Sequence, residues 1–164
     1  MLSRLSRAFS ATVFAVMPFI CALMILVLMT PLSAFAQGVR DFGAEMSAEN
    51  ETKFTQSAAK GDVQIHVDLA TLRASWTITY SGLSGPPTTV RLYGPAQPGA
   101  NGGVIIDLAK PGAPSPITGS AILTEGHVQY LLYGWMYVNL TTSKFKLGEI
   151  RGQLDVRAPN EAAK

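Results

Sequence analysis

Arg91 and Tyr93 stand out in the stretch TTVRLYGPAQPGANGG, because they lie two positions apart where a predicted strand meets a Gly/Pro-rich loop. Side chains two apart on a strand point to the same face. A metal or catalytic site is often built at such a place, but Arg offers no lone pair to a metal and Tyr is not a usual ligand. Three interpretations stay open: a site with other chemistry, a site that has been lost, or a plain surface.

Two later strands carry further polar rows. In GEIRGQLDV, one face holds Glu149, Arg151, Gln153 and Asp155. This row is either a solvated face, which we favour, or an ordered polar cluster at a sheet surface. In YVNLTT, one face holds Tyr137, Asn139 and Thr141. Such a row suits an ordinary exposed sheet surface, or a face that binds a polar partner.

The histidines indicate no metal site by themselves. His66 lies on the polar side of its predicted strand, and His127 lies near the start of a predicted helix. Neither has a second histidine within four residues, so we interpret both as solvated or hydrogen-bonded side chains. The carboxylates that would have to converge with both histidines in a metal site include Asp62, Asp68 and Glu149.

The serines and glycines show no catalytic signature. Ser84 lies in GLSG, which is not the G-x-S-x-G pattern of a nucleophile elbow. The run GANGG precedes a predicted strand and lacks the Lys-Ser/Thr of a phosphate loop. We therefore predict no catalytic residue, no metal ligand, no cofactor and no enzymatic activity.

The chain begins with the three parts of a secretory signal peptide. Arg4 and Arg7 form a basic start, a long apolar run follows, and Ala34-Phe35-Ala36 gives a small-x-small cleavage pattern. We favour cleavage after Ala36 over an uncleaved membrane anchor, and predict an exported protein, periplasmic or secreted. The prediction divides the chain into a signal peptide, residues 1–36, and one domain, residues 37–164.

The composition of residues 37–164 excludes some partners. The chain has 13 Lys and Arg against 11 Asp and Glu, and two of the basic residues, Arg4 and Arg7, belong to the predicted signal peptide. The remaining domain is formally neutral, which gives no electrostatic footprint for nucleic acid. The one cysteine, Cys21, also lies in that segment, so the domain is predicted to be free of disulfides.

Period-two alternation dominates residues 37–164. GDVQIHVDL and LRASWTITY place apolar and polar side chains on opposite faces, as half-buried strands do. Further strands are predicted near residues 42–46, 89–93, 103–108, 117–124, 137–142 and 149–157. Thr124 is expected to cap a helix of about two turns that ends near Gly134. The pattern predicts an all-β antiparallel sandwich, immunoglobulin-like or superoxide-dismutase-like, of about seven to nine strands with one short helix.

The order of several motifs resembles the CHRD domain, which is named after chordin. The resemblance rests on YSGLSGPPTTVRLYGPAQPGANGGVIIDL, GSAILT, GWMYVNLTT and above all GEIRGQ, residues 148–153, and it covers roughly residues 39–157. It implies an extracellular β-sandwich without an established reaction, and a role in binding.

The chain departs from that family pattern at three positions. Arg91, Tyr93 and Thr141 stand where the family often has histidines. Three histidines on neighbouring strands would suit a transition metal, as in the histidine-rich sandwich of copper/zinc superoxide dismutase. Because the imidazoles are replaced here, we expect Arg91 to pair with Glu149 before it meets any ligand.

The leading prediction is an exported, non-enzymatic CHRD-type protein that binds a protein or envelope partner, or has a structural role in the envelope. Its candidate binding surface consists of Arg91, Tyr93, Tyr137, Asn139, Thr141, Glu149 and Arg151. The alternative is a copper- or zinc-binding, superoxide-dismutase-like protein whose histidine site is remodelled or lost. A membrane-tethered structural protein is the third hypothesis, and it requires the signal segment to be uncleaved.

Overall fold

The computed structural model describes residues 38–53 and 55–157. The predicted signal peptide, residues 1–36, lies outside the described residues, so its cleavage stays a prediction. Within the described part, no helix has the length and apolar character that a membrane crossing requires.

Nine strands and one α-helix make up this part of the chain. The strands are β1 Val39–Ser47, β2 Lys60–Asp68, β3 Arg73–Ser81, β4 Pro87–Gly94, β5 Gly103–Ala109, β6 Ile117–Ile122, β7 Tyr137–Thr142, β8 Ile150–Gln153 and β9 Asp155–Val156. The helix α1 spans Glu125–Leu132, and a short 3-10 helix at Ala48–Asn50 follows β1. The predicted all-β antiparallel fold with one short helix is confirmed.

In β2 and β3, alternation decides which side of the strand enters the core. Val63, Ile65 and Val67 of β2 are buried, while His66 between them is exposed. β2 and β3 pair antiparallel along their whole length. The turn between them is held by the Asp68 carboxylate, which accepts hydrogen bonds from the backbone N–H groups of Ala70 and Thr71.

The strands form one hydrogen-bonded sheet in the order β5-β4-β7-β8-β1-β2-β3-β6, with β9 paired to β1. The expected two separate sheets are thus joined, because β1 pairs with β2 on one side and, at Ser47, with Arg151 of β8 on the other. The sheet curls until its edge strands β5 and β6 come close. The indole N–H of Trp76 on β3 donates to the carbonyl of Leu108 on β5 across this gap, at 3.2 Å.

The helix begins and ends where its sequence signals predict. The Thr124 hydroxyl accepts a hydrogen bond from the backbone N–H of His127, which is the expected N-cap. Gly134, with φ of 68°, follows the last turn in the left-handed conformation that glycine tolerates best.

Candidate functional site

The register of three neighbouring strands brings most of the predicted binding residues onto one face. Across β4, β7 and β8, one row pairs Arg91 with Asn139 and Asn139 with Arg151. The next row pairs Tyr93 with Tyr137, and Tyr137 with Gln153 of β8. Directly opposed residues in an antiparallel sheet have neighbouring side chains on the same face. β4 and β7, which carry Arg91, Tyr93 and Thr141, are therefore neighbours in the sheet.

This face is covered rather than solvated. Only 3% of Tyr137, 6% of Asn139, 7% of Thr141 and 1% of Arg151 is exposed to solvent. The favoured expectation of a solvated face is wrong for Glu149 and Arg151, which belong to ordered polar clusters, whereas Asp155 at the end of that row is exposed. Glu51 from the segment after β1 contacts Asn139, and Gly102 from the β4–β5 loop contacts Tyr137. Alternation separates two faces of a strand, but it does not reveal a segment that folds over one of them.

Arg151 lies at the centre of the covered face. Its guanidinium carbon is 3.5 Å from the centroid of the Tyr137 ring, and that ring stacks on Tyr93 with 5.1 Å between centroids. The guanidinium also donates to the side-chain oxygens of Asn101, at 3.3 Å, and Gln153, at 3.0 Å. Burial lowers the pKa of Arg151 from its usual value, and the electrostatic interactions with Tyr137 and Glu51 oppose that shift. The side chain is a cation fixed in one orientation.

Glu51 is a functional candidate that the sequence analysis missed. Its carboxylate accepts two hydrogen bonds from the Asn139 amide, at 2.9 and 3.1 Å. Burial raises the pKa of Glu51 to about 7, although Arg151 and Asn139 both act to lower it. The Asn139 side-chain oxygen is buried and has no hydrogen-bond partner among the described residues. Glu51 stands in a stretch without alternation, so no periodic signal marked it.

Glu149 belongs to a separate buried cluster, the Glu149 cluster, made of Ser57, Ser84, Thr142 and Glu149. Its carboxylate accepts four hydrogen bonds at 2.6–2.8 Å, from the hydroxyls of Ser57, Ser84 and Thr142 and from the backbone N–H of Ser84. Burial by itself raises the pKa of Glu149, but these hydrogen bonds outweigh it and hold the pKa below its usual value. Glu149 is an anion whose charge is stabilised by these hydrogen bonds, and the residue has no exposed surface.

The predicted contact between Arg91 and Glu149 is wrong. The Arg91 side chain donates through Nε to Asp107, on the neighbouring strand β5. Strand register explains why Arg91 pairs with Asp107, because the two residues lie directly opposite each other on β4 and β5. Glu149 precedes β8, and its carboxylate oxygens already accept the hydrogen bonds of the Glu149 cluster. Arg91 and Tyr93 remain partly exposed at the margin of the covered face.

The histidines occupy unrelated positions. His66 contacts the Asp41 carboxylate through Nδ1 at 2.5 Å, and His127 lies in the first turn of α1. In the described part of the chain, no group of three or more His, Cys, Asp or Glu side chains is placed to hold a metal ion. The geometry therefore gives the copper or zinc alternative no support.

A groove of about 500 Å³ opens beside the covered face. Arg151 and Gln153 line it from β8, and Pro98 and Gly99 line it from the β4–β5 loop. Its acidic lining residues are Glu45, Glu49, Glu51 and Asp155. The groove offers one buried cation within an acidic rim, which suits polar recognition.

A family model described as the CHRD domain matches residues 42–154. This span is more than half of the chain and includes Glu51, Arg151 and the Glu149 cluster. The chain belongs to the CHRD domain family. The search of curated proteins and the search of solved structures each found no match. CHRD membership supports, in general terms, a binding or structural module without catalytic activity.

Proposed function

We propose that this CHRD protein is exported and binds a protein or envelope partner in the groove beside Arg151. Export is supported by the signal-peptide pattern of residues 1–36. A binding role is supported by the family and by a concave polar site next to a rigid sheet.

The observation that carries the proposal is an open groove whose rim holds the exposed carboxylates of Glu45, Glu49 and Asp155, with the buried guanidinium of Arg151 fixed at its wall. Burying a cation costs free energy unless hydrogen bonds and nearby charge offset the lost hydration. Here Tyr137, Asn101 and Gln153 fix the group before any partner arrives. Preorganised polar groups in a concave site lower the entropic cost of binding.

The rim sets the chemistry of the partner. Glu45, Glu49 and Asp155 are exposed at the groove. Glu49 also pairs with Lys60, at 3.8 Å. Even so, three carboxylates that line one groove favour a partner that brings positive charge, such as a lysine- or arginine-containing segment of an envelope protein. Arg91 and Tyr93, at the margin of the same face, would then contact the outer part of that partner.

Site-specific photocrosslinking in cells that produce the full chain tests this proposal. A photoreactive residue at Glu49 should give adducts of discrete size in the exported fraction, and Asp155→Lys should reduce them. The matched control carries the photoreactive residue at Ser75, exposed on β3. The same adducts at both positions would contradict binding in the groove, and adducts confined to the cytosol would contradict export.

A further inference from the structure

The loop between β7 and β8 carries an unusual combination of exposed side chains. Its residues Lys144, Phe145, Lys146 and Leu147 form what we call the KFKL loop. Both lysines are exposed, and 74% of Leu147 is open to solvent. Phe145 is partly exposed, with the Lys144 ammonium 5.2 Å from its ring centroid. Leu147 and Phe145 line the same groove as the lysines, so they form an apolar patch with a cationic rim, and patches of this kind mark interaction surfaces.

The backbone holds the KFKL loop in one shape. The Phe145 carbonyl accepts hydrogen bonds from the N–H groups of Thr142 and Gly148, both at 3.3 Å. The Phe145 N–H donates to the Thr142 hydroxyl, and that hydroxyl donates to the buried carboxylate of Glu149. The loop is thereby tied to the Glu149 cluster, so its side chains are presented by a rigid base.

A third cation lies beside the loop. Lys53 lines a groove of about 210 Å³ together with Lys144 and Lys146, and both Phe145 and Leu147 also line it. Glu51 supplies a carboxylate at the same groove. Three lysines against one carboxylate give this end of the molecule a local excess of positive charge, although residues 37–164 are neutral as a whole.

We propose that the KFKL loop docks this protein on an anionic lipid surface. Leu147 and Phe145 would enter the boundary between headgroups and acyl chains, as the apolar side chains of interfacial segments do. Lys53, Lys144 and Lys146 would remain among the phosphates, with their aliphatic stems along the apolar part. The inference goes beyond partner binding in the Arg151 groove, and it does not depend on it.

The apolar side chains favour lipid over a soluble polyanion. An acidic protein segment or an anionic glycan would be attracted by the lysines alone. Such a polyanion would gain no binding free energy from Leu147, which projects into solvent beside the lysines. A lipid surface uses both properties, because electrostatic attraction and apolar insertion add in interfacial binding.

The test places an environment-sensitive fluorophore on the KFKL loop of the full chain. The label is attached at Ser143→Cys, an exposed neighbour of the loop, with Cys21→Ser removing the native thiol. The vesicles contain phosphatidylglycerol and phosphatidylcholine in equal parts, or phosphatidylcholine alone. Because the probe reports the environment of the loop itself, binding through residues 1–36 does not imitate the result. A second label at Ser75→Cys on β3 is the positional control.

We expect a blue shift at position 143 with the anionic vesicles only, and none at position 75. Each lysine contributes about 1 kcal/mol of attraction to an anionic membrane, which is about fivefold in partitioning. Lys144→Glu with Lys146→Glu should therefore weaken partitioning at least about 25-fold. Arg73→Glu with Lys110→Glu changes the net charge equally, at exposed positions outside the loop, and should weaken it far less. Leu147→Ser should remove most of the blue shift.

Several results would overturn the proposal. One is an unshifted probe at position 143, and another is an equal shift with both kinds of vesicle. A third is an equal loss in the two double variants, which would indicate net charge rather than the loop. If Leu147→Ser has no effect and soluble polyglutamate displaces the vesicles from wild type, the partner is a polyanion and not a lipid surface.

Discussion

The guanidinium of Arg151 stacks on the ring of Tyr137, 3.5 Å from its centroid, inside the covered face of the sheet. Tyr137 in turn stacks on Tyr93, with the two rings only 6° from parallel. The three side chains come from β8, β7 and β4, so the stack joins neighbouring strands through their side chains as well as their backbones. A planar, weakly hydrated guanidinium suits this position better than an ammonium does.

Arg151→Lys should therefore destabilise the fold even though it keeps the charge. Lysine lacks the planar fork that contacts Asn101, Gln153 and the Tyr137 ring together. We expect the free energy of unfolding to fall by about 1–3 kcal/mol in urea titrations. Arg73→Lys, on the exposed side of β3, is the matched control and should change little. If the two variants have equal free energies of unfolding, residue 151 stabilises the fold only through its positive charge and not through the stacked guanidinium.

The Glu149 cluster gives a second prediction. Glu149→Gln replaces an acceptor-only carboxylate with an amide, whose NH₂ group must then face hydroxyl or N–H donors of Ser57, Ser84 or Thr142. We expect a loss of about 2–3 kcal/mol in the free energy of unfolding. Glu125→Gln, exposed in the first turn of α1, should cost a few tenths at most.

The same carboxylate predicts a pH dependence. Because the pKa of Glu149 is held below its ordinary value of about 4.3, folding favours the ionised form. The stability that this group contributes is complete above that ordinary value, and it is lost as the pH falls through the lower pKa of the folded state. In Glu149→Gln, the free energy of unfolding should not show this loss as the pH falls. A difference from wild type that stays constant down to low pH would show that folding does not lower the pKa of Glu149.

The elements of the fold could be predicted from the sequence because each has a local signal. Alternation marked β2 and β3, and Thr124 marked the start of α1. The partner of Arg91 could not be predicted, because Asp107 meets it through strand register and not through sequence spacing. The sequence pattern also marked β7 and the segment of β8, and the family resemblance is established by the CHRD match.

The candidate site was predictable only in part, for a related reason. Arg151 and Asn139 were marked by their shared faces, but Asn139 is covered by Glu51, which lies 88 residues away in the sequence. Periodicity describes one strand at a time and carries no information on which loop covers it. Ser84 shows the same limit, since its role as a donor to Glu149 exists only across a separation of 65 residues.

Gly148 permits the close approach of Glu51. Its φ is 147°, which side-chain-bearing residues rarely adopt, and a Cβ atom there would collide with the Glu51 carboxylate. Gly148→Ala should therefore lower the free energy of unfolding by about 1–3 kcal/mol and push Glu51 toward solvent. Gly85→Ala is the control, because a Cβ atom at Gly85 meets nothing within 4 Å. The Glu51 carboxyl should also titrate nearer its ordinary range by NMR, and an unchanged titration would contradict the collision.

Glu51 should make stability fall as the pH rises from about 4.3 to about 7. Its pKa in the folded chain is about 7 because burial disfavours the charged form, whereas an unfolded glutamate titrates near 4.3. Between these values the folded state keeps a proton that the unfolded state has lost, so raising the pH favours unfolding. Glu51→Gln removes this titration while it keeps the shape of the side chain. The variant should match wild type near pH 4 and become relatively more stable up to about pH 7, with no further change above. Urea midpoints measured across this range test the sign, and a difference that does not vary with pH would show that Glu51 titrates alike in both states.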